Sequence, residues 1–212
     1  MVNYPTEKIL EYLVDLFGIS TDSAKLILKI SNQKKEKIYL YEMRYLMNVR
    51  KPADLHDTIM ELYWWRILIP IKVGTLEWSA RQPTLSREEL YEIPTCIQYS
   101  LEKLIKDFDW DYKYAVKRYF RKIAEEDIDI LIKVIEDFIK KSKNYHVTAQ
   151  DIVDSCKYYG LTLEETSKLI AELKGGGFIS PTLYRDLFKA KTIKQPIYEV
   201  NKALFIKELR SK

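Results

Sequence analysis

Histidine, cysteine and glycine are scarce in this chain of 212 residues, with 2, 2 and 6 copies. Cys96 and Cys156 stand far apart with no CxxC. They form neither a disulfide framework nor a zinc site, and they fit a reducing cytosol. His56 and His146 leave little material for acid–base catalysis. With few glycines, long flexible loops are not expected. Gly175, Gly176 and Gly177 adjoin one another, but they follow a helical pattern and lack the GxxxxGK[ST] arrangement that aims backbone amides at phosphate. They read as a helix stop before a strand. No apolar run approaches about 18 residues, so no membrane span is expected. The opening residues 1–8 lack a basic stretch followed by an apolar one, so no signal peptide is expected.

What is present is globular in composition: 47% hydrophobic and 31% charged. Thirty-five Lys and Arg against 31 Asp and Glu leave a net charge of +4. That permits binding to polyanions without demanding it. Lys, Glu, Ile and the 16 Tyr are abundant, as in thermophile surfaces laced with ion pairs, and an archaeal thermophile is the expected source.

One stretch returns. Residues 61–70 (ELYWWRILIP) align with residues 172–181 (ELKGGGFISP), a shift of 111 (172 minus 61). Each copy follows an amphipathic helix and leads into short strands. A duplicated helix-to-hairpin unit favours surface recognition over a catalytic cleft.

Periodicity and caps place the elements. Pro5 opens a helix with Ile9, Leu10, Leu13, Leu16 and Phe17 on its apolar stripe, and Gly18 ends it. Residues 20–22 (STD) cap the next helix. Residues 34–37 read as a polar connection, 40–49 as a helix, and 51–54 as the start of another. Ile67, Ile69, Ile71 and Val73 then alternate. Gly74-Thr75 is placed at a hairpin turn, with residues 76–80 as the return strand. Helices are expected over 93–108, 111–124 and from 127 into 140. A short strand at 145–147 precedes a helix capped by Thr148. Thr162 and Glu165 form a capping box for the next helix. Residues 178–191 and 196–205 read as a second hairpin with its tip near 191–195.

The order helix, strand, helix, turn, helix, strand, wing, strand over residues 127–210, with the GGGFISP turn and the closing strand PIYEV at 196–200, resembles the winged-helix superfamily. The earlier order of three helices and a hairpin, within residues 1–82, resembles it as well, with 54–64 as recognition helix and a wing around Gly74. The expected fold class is mainly α with small β-hairpins (α+β): tandem winged-helix domains joined by a helical linker. The expected spans are 1–82 (N-terminal helix and first copy), 83–125 (linker) and 126–212 (second copy). The resemblance implies a non-enzymatic, cytoplasmic, nucleoid-associated protein that binds duplex DNA in transcription regulation, replication or chromosome organisation. It implies no cofactor, and regulators of this fold commonly form homodimers. The alternative is an adaptor with a protein partner, since winged helices also serve in multiprotein complexes.

Candidate residues follow from charge. Lys113, Lys117 and Arg121 recur at i, i+4 and i+8, with Arg118 and Lys122 in the adjacent row. Such a face suits a phosphate backbone, although it would equally suit solvation beside Asp107 and Asp109. The second wing carries Arg185, Lys189, Lys191 and Lys194, which could reach phosphates or a minor groove. The recognition helices argue against base reading: Glu164 and Glu165 open one, and Asp54, Asp57 and Glu61 line the other. Trp64 and Trp65 are candidates for a protein interface, one as core and the other as anchor. His56 with Asp57 and Glu61 lacks a convergent ligand array, so no metal site and no catalytic residue are assigned.

Overall fold

The computed structural model describes residues 5–123, 127–182 and 195–210. The chain is mainly helical, with two small three-stranded antiparallel sheets. Its first half runs α1 (Thr6–Phe17), α2 (Thr21–Asn32), β1 (Lys37–Tyr39), α3 (Leu40–Met47), α4 (His56–Trp64), β2 (Ile69–Pro70) and β3 (Leu90–Glu92). Two helices follow, α5 (Thr95–Asp107) and α6 (Tyr112–Lys122). The second half runs α7 (Ile128–Lys141), β4 (His146–Thr148), α8 (Ala149–Tyr158), α9 (Leu163–Gly175), β5 (Ile179–Thr182), β6 (Ile197–Val200) and α10 (Ile206–Arg210).

Local chemistry fixes the element ends. Gly18 closes α1 in the left-handed region (φ 64°), its N–H on the Val14 carbonyl, where a residue without Cβ is unstrained. The Ser20 hydroxyl accepts from the Ser23 N–H at the start of α2. In both halves the last strand residue starts the next helix, and an acid three positions on returns to it. The Tyr39 N–H donates to Glu42 at 2.9 Å, and the Thr148 N–H to Asp151 at 3.0 Å. Thr162 and Glu165 exchange both bonds of a capping box.

The two sheets share one topology, with orders β1-β3-β2 and β4-β6-β5. Tyr91 lies opposite Ile38 and Pro70; Tyr198 lies opposite Val147 and Pro181. The turns entering β2 and β5 also match bond for bond. The Trp65, Arg66 and Ile67 N–H groups donate to the carbonyls of Glu61, Tyr63 and Leu62. Those of Gly176, Gly177 and Phe178 donate to Glu172, Lys174 and Leu173. Arg66 and Gly177 take left-handed φ of 61° and 76°.

The halves also hold each other reciprocally. The Ala203 N–H, just past β6, donates to the Trp65 carbonyl of the first turn. The Cys96 N–H, just past β3, donates to the Gly176 carbonyl of the second. Asn201 binds both turns, its amide donating to the carbonyls of Arg66 (3.2 Å) and Gly177 (3.1 Å). A single apolar core runs through both halves and includes α5 and α6, with Phe17, Trp110, Phe120, Phe138, Phe178 and Phe205 among its largest members.

Two expectations are corrected. Residues 37–39, inside and just beyond the stretch read as a polar connection, form strand β1. It has one buried side chain, Ile38, between two exposed ones, so it carries almost no apolar signal. The return strand of the first hairpin is Leu90–Glu92, which lies within the span read as linker, and not residues 76–80. Gly74 does turn the chain (φ 82°), but Trp78–Ala80 is a 3-10 turn. Its backbone is taken by other partners: the Tyr63 hydroxyl donates to the Trp78 carbonyl, and the Trp78 N–H donates to Ser180 of the second half. The expected tip of the second hairpin lies largely outside the described residues.

Candidate nucleic-acid interface

Helix α6 carries the strongest basic pattern, and packing explains how it is displayed. Tyr112, Ala115, Val116, Tyr119 and Phe120 are buried against α5 and α7. The cations ride on the opposite arc and divide between two neighbours. Lys113 pairs with Glu136 of α7 at 2.5 Å, and Lys117 with Asp129 at 3.5 Å. Arg118 leans toward α5, with Glu102 at 4.0 Å and the Tyr99 ring centroid 5.9 Å from its guanidinium. Arg121 and Lys122 are exposed and have no ion pair among the described residues. The Lys113 hydrogen bond holds Glu136 below the usual carboxylate range, against the desolvation that would raise it. Exposed pairs of this kind are weak, but a phosphate meets less competition at Arg118, Arg121 and Lys122 than at the row facing α7.

Arg185, Lys189, Lys191 and Lys194 lie outside the described residues.

The acidic group on α4 has a different task. Glu61 accepts from the Ser20 N–H (2.9 Å), the Ser20 hydroxyl (2.8 Å) and the Ser23 hydroxyl (2.5 Å), so it helps cap α2. Burial alone would raise its carboxyl, but these hydrogen bonds outweigh it and hold the group below its usual range. His56 pairs with the exposed Asp57 at 2.8 Å. Among the described residues, no three His, Cys, Asp or Glu are placed to hold a metal ion.

Trp64 and Trp65 separate as core and surface. Trp65 packs on Phe17, ring centroids 5.5 Å apart. Trp64 is 59% exposed and covers the Lys202 ammonium at 3.8 Å. Beneath it is a charge cluster with no counterpart in the sequence reading. Arg66 meets Glu199 through two bonds of 3.0 and 3.2 Å, and Lys202 approaches Glu199 at 3.5 Å. Arg66 and Glu199 are 133 positions apart, a separation that no local pattern can bridge. Burial lowers the Lys202 ammonium despite Glu199 beside it.

Fold and surface together define an α+β protein with one helix–strand order used twice. No helix among the described residues is long and apolar enough to cross a membrane. A protein-family model matches residues 15–210, and the chain belongs to that family. No curated protein and no solved structure is significantly similar to the chain.

Proposed function

We propose that the protein is a non-enzymatic nucleic-acid-binding protein made of two winged-helix units, acting on DNA in transcription regulation, replication or chromosome organisation. The observation that carries this reading is the pairing of a twice-used helix–strand topology with an exposed basic arc on α6. The strand orders β1-β3-β2 and β4-β6-β5, one topology used twice, support the winged-helix reading. Arg118, Arg121 and Lys122 supply phosphate contacts, and Lys113 and Lys117 contribute less because α7 already neutralises them. Binding of this kind is electrostatic and weakly sequence-specific.

Fluorescence anisotropy of a labelled duplex over several salt concentrations tests the reading. Arg121→Ala or Lys122→Ala weakens binding to all sequences alike and lowers the salt slope by about one unit. Lys113→Ala has a smaller effect. Affinity and slope unchanged in all three variants would remove α6 from the interface.

A second reading has one specific observation in its favour. Met60 and Trp64 are exposed on α4 next to Asp57, an apolar and acidic surface suited to a protein partner and not to phosphate.

A further inference from the structure

We propose that the face formed by the ends of α2 and α5 and by α3 binds single-stranded nucleic acid. Tyr41 and Tyr45 stack on unpaired bases, while Lys34, Lys35, Arg44 and Arg87 follow the phosphates. The proposal rests on the nucleic-acid reading above and adds to it a second surface and a different strand form.

Three tyrosines stand open on this face. Tyr45 is 87% exposed, Tyr41 42% and Tyr39 38%. Tyr39 and Tyr41 already stack on each other, centroids 5.3 Å apart and planes 16° from parallel. Tyr41 and Tyr45 border a cleft of about 510 Å³ whose rim includes Arg44, Arg87 and Lys35. Lys35 also borders a second cleft of about 640 Å³ between α2 and α5, lined by Lys34, Tyr99 and Lys106. Tyr99 in turn lies under Arg118 of α6. Cations and aromatic rings therefore continue from the open tyrosines to the basic arc of α6.

Charge selects a polyanion. Glu42 and Glu102 are the acids bordering the two clefts, and Glu42 is already paired with Lys35 at 2.5 Å. Lys34, Arg44, Arg87 and Lys106 have no ion pair among the described residues. Arg44 lines the cleft with Arg87 and Lys35, so its guanidinium adds to the positive charge there. Ring geometry selects the strand form. Bases in a duplex hide their faces in the stack, whereas an unpaired base offers a face to any aromatic side chain. Exposed rings beside cations suit the unpaired strand.

The test is anisotropy with labelled oligothymidylate, oligouridylate and a mixed-sequence duplex on the intact protein. Wild type is compared with Tyr41→Ala/Tyr45→Ala and, separately, Arg87→Glu. Both variants change exposed side chains, and matching circular dichroism and melting temperature confirm folding. The expected result is single-strand binding that falls about 10- to 100-fold in the tyrosine variant, with duplex affinity unchanged. Comparison of the two oligomers then assigns the natural strand to DNA or RNA. Duplex binding that depends on α6, together with single-strand binding indifferent to both variants, overturns this inference and leaves the proposed function standing. No binding to any of the three overturns both. Polyglutamate displacing the strand equally from wild type and tyrosine variant marks a charge-only site and also overturns it.

Discussion

Glu89 is the most heavily committed carboxylate among the described residues. Its side chain is almost fully buried and accepts from the Thr84 and Leu85 N–H groups, the Thr84 hydroxyl, the Tyr91 hydroxyl (2.6 Å) and Lys72. Desolvation would raise its carboxyl, but these donors prevail and hold it below the usual range. A carboxylate lowered in the folded state stabilises fully above its unfolded value, about 4.3, and loses that contribution as pH falls through the lower folded value. Glu61 behaves alike. The melting temperature is therefore expected to stay level from neutral pH to about 5 and to drop below about 4. Glu89→Gln should cost about 2–4 kcal/mol at neutral pH and flatten the acid limb; an acid limb as steep as in wild type would refute this assignment. Gly177 gives a second test. Its φ is 76°, and an added Cβ would sit 2.5 Å from that of Pro94. Gly177→Ala should lower stability by about 2–4 kcal/mol in urea unfolding. Gly18→Ala, with the same backbone region but open space around it, should cost only about 1–2 kcal/mol. The need for glycine after α9 was legible in the sequence as a helix stop. The reason it cannot be replaced was not, because Pro94 approaches from the other half of the chain.

Among the elements, helices were far more legible than strands. Helices α5 to α9 sit close to where periodicity and caps put them, because a 3.6-residue stripe and a Thr-x-x-Glu box are local signals. Strands β1 and β3 have three residues each and depend on partners elsewhere, so no period could reveal them. The alternation at Ile67 to Val73 misled for the same reason: Ile67, Leu68 and Ile69 are all buried, whereas Val73 is fully exposed. The basic arc of α6 was legible as spacing, but its division between α5 and α7 was set by neighbours the sequence does not show. The junction between the first turn and β6 gives the prediction at this scale. Arg66→Ala leaves Glu199 buried without its two-bond partner and should cost about 3–5 kcal/mol. Arg66→Met/Glu199→Leu/Lys202→Met removes all three charges of the cluster, the buried Lys202 included, and should cost clearly less, since the desolvation penalty disappears with them. The comparison is read from urea midpoints; equal losses in the single and triple variants would mean that the charges contribute nothing beyond shape.

At the scale of the whole molecule, the two halves form one body and not two beads on a linker. Each half holds the other's turn by a backbone bond, at Cys96 to Gly176 and at Ala203 to Trp65. A two-fold association of identical subunits makes the same kind of reciprocal contact, here closed within one chain. Asn201 ties both turns, and the helices between the halves belong to the common core. Neither half can open without exposing apolar surface and orphaned carbonyls on the other. Heat unfolding should therefore give one transition, with calorimetric and van't Hoff enthalpies equal and with tryptophan fluorescence and far-ultraviolet dichroism coinciding. The thiols supply an independent probe. Both cysteines are buried, and burial pushes both thiols up, so neither should react with a disulfide reagent in the native state. Cys96 belongs to the junction and Cys156 to α8 in the second half. In rising urea, both should become reactive together at the global midpoint. Cys156 reacting well before Cys96, or two resolved heat transitions, would show that the second half opens alone and that the reciprocal contacts do not couple the halves.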